Sequence, residues 1–176
     1  FLHSQNPGST AYVIGEAALT KALYDQGIYM NDVNPDYVVV GETRTYSFEK
    51  VEKAINLVFK GAKLIGTNPD ITGPSETGIC PATGSLIAPI EIATGKKAYF
   101  VGKPNPLMLR RGLMKLDCHS KDIAFIGDRM DTDIIAGIES NIDTVLVLSG
   151  MTSREDVDKF PYRPSYIVNG VGDLVG

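Results

Sequence analysis

The sequence predicts an α/β protein built on parallel strands, and three observations predict it. Short aliphatic and β-branched runs of strand length alternate with segments of helical periodicity along the whole chain. Two of those runs lead straight into polar loops carrying lysine or aspartate, at the edge where open parallel sheets hold their ligands. With 43% hydrophobic and 22% charged residues over 176 positions, the composition is that of an ordinary globular protein, large enough for one domain or two small ones.

The elements follow in order. Ala11 to Ile14 reads as a strand, Ala17 to about Gln26 as a helix, and Tyr37 to Val40 as a buried-type strand. Ser47 can cap a helix running to about Phe59, in which Val51, Ala54, Ile55 and Val58 recur at helical spacing, and Gly61 ends it before the strand Lys63 to Gly66. A Gly/Pro-rich stretch, Asn68 to Gly84, is too long for a passive connector and reads as a functional loop. After a helix from about Ser85 to Ala93, Tyr99 to Val101 is a short strand and Pro106 opens a helix through Leu116. Ile123 to Ile126 is a strand, Asp131 to about Ser140 a helix, and Thr144 to Leu148 a strand. Ser153 with Asp156 has the form of a capping box, and Tyr166 to Val168 reads as an edge strand beyond prolines 161 and 164. Lys96-Lys97 interrupts the pattern, so a boundary is expected near Gly95, dividing residues 1–96 from 97–176.

Charge and cysteine content narrow the function classes. A net charge of −4 leaves no cationic surplus for a nucleic acid or an anionic membrane, and the longest apolar runs are far short of a membrane span. Cys80 and Cys118 have no metal-ligand spacing and read as reduced thiols of a cytoplasmic protein. His3 and His119 lie in terminal or polar stretches and have no nucleophile arranged beside them. No dinucleotide or nucleoside triphosphate glycine pattern occurs. Phe1-Leu2-His3-Ser4 reads as the end of an element that begins upstream.

Two segments carry chemistry. In Ile123-Ala-Phe-Ile-Gly-Asp128-Arg-Met-Asp131-Thr-Asp133 a strand ends in a carboxylate-rich loop that opens a helix. Hard oxygens there suit Mg²⁺, which takes few protein ligands and keeps positions for water and phosphate. The competing reading is that these acids only complement the positive end of the following helix. In Tyr99-Phe-Val-Gly-Lys103-Pro-Asn-Pro106 one lysine is held between a glycine and two prolines, a point charge suited to phosphoryl oxygens, although a solvated lysine before a helix would look the same. The two together favour a phosphate-plus-metal site.

At this level the chain resembles the NagD-like, 4-nitrophenylphosphatase-type branch (subfamily IIA) of the haloacid dehalogenase (HAD) superfamily. The resemblance rests on Lys103 in a Val-Gly-Lys-Pro setting, Gly127-Asp128 followed by Thr132-Asp133, Gly66-Thr67-Asn68-Pro69-Asp70, and Gly84-Ser85-Leu86 leading to Glu91. It implies a three-layer Rossmann-like core with an α/β cap of the C2 type, the cap being residues 1–96 and the C-terminal part of the core residues 97–176. It further implies a cytoplasmic Mg²⁺-dependent phosphomonoester hydrolase for a small phosphorylated metabolite such as a sugar phosphate, nucleotide, phosphoglycolate or nitrophenyl phosphate. Carried over position by position, Lys103 would steady nucleophile and phosphoryl group, Asp128 would bind Mg²⁺, and Asp133 would support the metal shell. Asn68 and Asp70 would face substrate, Gly41 to Arg44 would belong to the cap, Asp131 would fall where the family varies, and a homodimer could form through the cap.

The family's aspartate nucleophile, from a strand ending in D-x-D-G, has no counterpart here. Asp131-Thr-Asp133 belongs to the metal motif, and no strand precedes Asp156-Val-Asp158. The expectation is therefore weak or absent turnover by these residues alone. A non-catalytic α/β module that binds phosphate or a partner is the competing class, and a receiver-type signalling domain, which has no use for the first half, a more distant third.

Overall fold

A computed structural model describes residues 1–175, which form two compact units, one of residues 1–102 and one from Lys103 onward. The expected boundary near Gly95 falls between a helix and the strand Tyr99–Phe100, whose pairing carries the first unit on to Gly102.

The first unit contains α1 (Leu2–Gln5), β1 (Thr10–Ile14), α2 (Ala17–Asp25), β2 (Tyr29–Met30), β3 (Tyr37–Val40), α3 (Phe48–Phe59) and β4 (Lys63–Gly66). It continues through β5 (Thr72–Ser75), β6 (Gly78–Pro81), α4 (Thr83–Thr94) and β7 (Tyr99–Phe100). Its main sheet has the order β2-β1-β3-β4-β7 and every pairing is parallel. Successive side chains of a strand point to opposite faces, and β3 uses both. Val38 and Val40 pack with α3 and α4 through Ala54, Leu57, Val58, Ile87 and Ile90, while Tyr37 and Val39 face Leu2 of α1 and Leu19 and Leu23 of α2. This two-sided burial explains why all four residues of β3 are apolar. Ser47 caps α3 by accepting from the Lys50 N–H at 3.4 Å, and Gly61 supplies a backbone turn at φ +115°.

The segment expected to be a loop from Asn68 to Gly84 is instead an antiparallel hairpin of β5 and β6, followed by a helix that begins at Thr83. Prolines and glycines in both strands hide the alternation that marks a hairpin. Strand β2 is likewise absent from the sequence reading, being too short to show a period, and the element read at Phe1 to Ser4 is the short helix α1.

The second unit contains α5 (Pro106–Leu116), β8 (Ala124–Gly127), α6 (Ile135–Glu139), β9 (Asp143–Val147), α7 (Arg154–Val157) and β10 (Tyr166–Val168). Its parallel sheet has the order β10-β9-β8, with β10 at the edge as expected. Leu146 packs with Met130, Ile134 and Val157, and a second group joins Leu109 of α5 to Ala136 and Ile142. The single helix expected from Asp131 begins instead as one wide turn, Met130–Ile134, in which the amides of Asp133 and Ile134 both reach the Arg129 carbonyl at 3.0 Å. Such a turn is a frequent feature of functional sites. Among the described residues no helix is long and apolar enough to cross a membrane.

Candidate functional site

The site lies in the second unit, where β8 ends at Gly127 and the chain turns into Asp128-Arg129-Met130. Asp133, 2% exposed, faces back onto that turn. Its Oδ2 accepts from the backbone N–H groups of Asp128 at 3.2 Å and Arg129 at 3.1 Å, and its Oδ1 accepts from Lys103 Nζ at 2.5 Å. One carboxylate therefore holds the Asp128 backbone and the Lys103 ammonium group at once. Gly127 makes this possible, because a Cβ at that position would overlap the Asp133 side chain.

Lys103 leads directly into the cap of α5. The Asn105 side chain accepts from the Leu107 N–H at 3.0 Å, and Pro106 stands at the first helical position, so the backbone just after Lys103 is fixed. The ammonium group remains partly open, its side chain 35% exposed.

Asp128 is half-buried, and its Oδ2 accepts from the Met151 N–H at 2.8 Å. The loop after β9 adds two more ties, Thr152 N–H to the Asp128 carbonyl at 3.1 Å and Met130 N–H to the Thr152 hydroxyl at 3.3 Å. Behind the turn, burial above all, with the Asp131 and Glu139 charges adding, pushes the Tyr162 phenol up, and its hydroxyl donates to the Met130 carbonyl at 3.0 Å. Asp131 is clamped by Arg129 through Nε at 3.0 Å and Nη2 at 2.8 Å, a two-pronged ion pair at the surface.

Lys103, Asp128 and Asp133 are thus brought together. Asn68 and Asp70 belong to the first unit, where the Asn68 amide donates to Asp70 at 2.7 Å and accepts from the Thr67 hydroxyl at 3.0 Å. Their turn is pinned to the start of α4 by the Gly84 N–H, which donates to the Asp70 carbonyl at 2.8 Å, and a Cβ at Gly84 would run into the Pro69 carbonyl. Gly150, Met151 and Thr152 are not foreseen from sequence. The signal was available: they follow a parallel strand at its C-terminal end, the same edge that singled out Asp128.

No cluster of three or more His, Cys, Asp or Glu side chains able to hold a metal occurs among the described residues. The donors nevertheless fit Mg²⁺, which binds through one or two carboxylates and fills its remaining positions with water and phosphate oxygens. Asp128 has an oxygen beyond the one given to Met151, whereas both oxygens of Asp133 are engaged, so Asp133 fits as a support and not as a ligand.

The site is a strand-end acid loop braced to a lysine on an α/β frame, and comparison with known proteins gives the family. The HAD-hydrolase-like family model matches residues 100–174. The chain is 51% identical over 174 residues to the dihydroxyacetone phosphatase of Corynebacterium glutamicum, covering 99% of this chain and 63% of that protein. It is 45% identical to the ribonucleotide monophosphatase NagD of Escherichia coli, covering 99% of this chain and 68% of NagD. The solved structure of NagD superposes with a TM-score of 0.89 at 44% identity, over 98% of this chain and 68% of that one. A 4-nitrophenylphosphatase from Thermotoga maritima superposes at 0.92 and 34% identity, over 98% and 67%. The chain belongs to the haloacid dehalogenase superfamily, in the branch of NagD and the p-nitrophenyl phosphatases. It spans just under two thirds of the length of the corynebacterial relative.

Proposed function

We propose that these residues form the substrate-recognising half and the lysine-and-metal half of a Mg²⁺-dependent phosphomonoester hydrolase. Its substrate is a small phosphorylated metabolite: a sugar phosphate, nucleotide, phosphoglycolate or nitrophenyl phosphate. The observation that carries this reading is the Lys103–Asp133–Asp128 arrangement, in which a partly open ammonium group is braced 2.5 Å from the carboxylate that also holds the acid loop.

In this reading Lys103 offsets negative charge on the phosphoryl oxygens as the bond to the leaving group breaks. Asp133 keeps Lys103 aimed and the Asp128 turn closed, and Asp128 is the direct carboxylate ligand of the cation. When bound, Mg²⁺ contributes charge neutralisation and orientation of the phosphate. Attack on phosphorus requires an aspartate that forms an aspartyl-phosphate, and within these 176 residues no strand ends in D-x-D-G. Residues 1–96 act as the cap, with Asn68 and Asp70 on its substrate side. The protein works in the cytoplasm, and a homodimer through the cap is the assembly the family likeness suggests.

That no such aspartate motif occurs within these residues also supports a second reading, a module that binds phosphate without hydrolysing it. Phosphate release from a panel of small phosphomonoesters separates the two, using this chain, the chain extended upstream in its reading frame, and Asp128→Asn in each. The expected result is Mg²⁺-dependent release by the extended chain, reduced about 10²-fold or more by Asp128→Asn. Release that is indifferent to Asp128→Asn overturns the site assignment, and phosphate binding without release by every chain establishes the second reading.

A further inference from the structure

The loop after β9 bears on which cation the site takes. Gly150 lies against Asp128 so closely that a Cβ built on it would overlap the Asp128 carboxyl group. Its backbone is not in the left-handed region, so the demand for glycine at this position is one of space. In that space Asp128 turns Oδ2 onto the Met151 N–H at 2.8 Å. The loop is held in register by Thr152, whose N–H reaches the Asp128 carbonyl and whose hydroxyl accepts from Met130. Thr152 is 7% exposed, so the loop is anchored next to Gly150 even though Gly150 itself is at the surface.

We propose that Gly150 is a positioning residue for the cation site, selecting Mg²⁺ over Ca²⁺ by committing one oxygen of Asp128 to the protein. This rests on the reading of Asp128 as the metal ligand. A carboxylate with Oδ2 tied to an amide presents one oxygen to a cation. That suits Mg²⁺, which demands a compact octahedral shell, and handicaps Ca²⁺, whose larger and more flexible shell accepts both oxygens of one carboxylate. With a side chain at 150 the carboxylate is displaced and the Met151 bond is lost. Asp128, released from the amide, then has both oxygens to offer.

The test is a titration of the ¹⁵N-labelled chain with Mg²⁺ and, separately, Ca²⁺, read at the amides of residues 127–133 and at Met151, for the parent and for Gly150→Ala. The parent should bind Mg²⁺ at Asp128. In Gly150→Ala the Met151 amide should move to a non-bonded shift and the Mg²⁺ dissociation constant should rise about tenfold, within the range for partners that orient metal ligands. The Ca²⁺ constant should stay level or fall. A general loosening of the fold would weaken both cations together, so the opposite response of the two ions is the decisive readout. A parent that responds to Mg²⁺ with a variant whose Met151 shift and Mg²⁺-to-Ca²⁺ ratio are unchanged overturns the proposal alone. A parent with no Mg²⁺ response at 127–133 overturns the metal reading and the proposal with it. Should Gly150→Ala not fold, the scalar coupling across the Met151 N–H···Asp128 carboxylate bond, measured in the parent with and without Mg²⁺, decides the matter. Its persistence on Mg²⁺ binding supports the proposal, and its disappearance overturns it.

Discussion

Asp133 closes more of this site than any other side chain. It is buried, accepts two backbone N–H groups and the Lys103 ammonium, and occupies the space left by Gly127. Replacing it with alanine leaves two amides without their acceptor and Lys103 without its counter-charge. The expected cost is about 2–4 kcal/mol, below the full penalty for breaking a buried pair because Lys103 is partly solvated. Urea unfolding of Asp133→Ala should show a lowered midpoint with the slope unchanged, and a midpoint like the parent's would mean that the bracing is not needed for stability. The residue types were legible in advance, since a Gly-Asp pair with a second acid five positions on is visible in any reading of the string. That both oxygens of Asp133 are engaged was not, because one of its three partners lies 30 residues earlier.

At the scale of elements, helix α7 offers a pH test. Its capping box pairs Ser153 with Asp156, and the Lys159 side chain, then the Ser153 hydroxyl and N–H, lower the Asp156 carboxyl from an ordinary 3.8 to about 2. A carboxylate depressed in the folded state contributes stability above its unfolded value, here above about pH 4, and loses that contribution as pH falls toward 2. Ser153→Ala should move the Asp156 titration part of the way back up, Lys159 being retained. Carbon-detected NMR titration reads this directly, and an unmoved midpoint would show that the box does not act on Asp156. This box could be read from the Ser-x-x-Asp spacing because capping is local. The hairpin of β5 and β6 could not: residues 72–81 hold two prolines and two glycines, and its pairing comes from contacts between its own two strands. The wide turn at Met130–Ile134 also escaped periodicity. Its extra residue is accommodated by Thr152 and Tyr162, which are distant in sequence.

At the scale of the whole molecule, each compact unit has its own core. Ile87, fully buried, packs between the α4 backbone and the β-sheet of the first unit. Truncation to alanine there should cost about 2–5 kcal/mol, seen as faster hydrogen exchange at the amides of β1, β3 and β4. Protection equal to the parent's would mean that the cavity collapses without loss.

The sequence alone determined the class of fold, most of the helices and strands, and the residue types of the site with their family likeness. Those properties depend on local period, capping and turn chemistry, and all of them operate within a few residues. Tertiary structure decided the strand order β2-β1-β3-β4-β7, the inclusion of Tyr99–Phe100 in the first sheet, and the meeting of Gly150 and Met151 with Asp128. These depend on which apolar faces bury one another and on which buried donors find acceptors, and such partners are chosen across the chain.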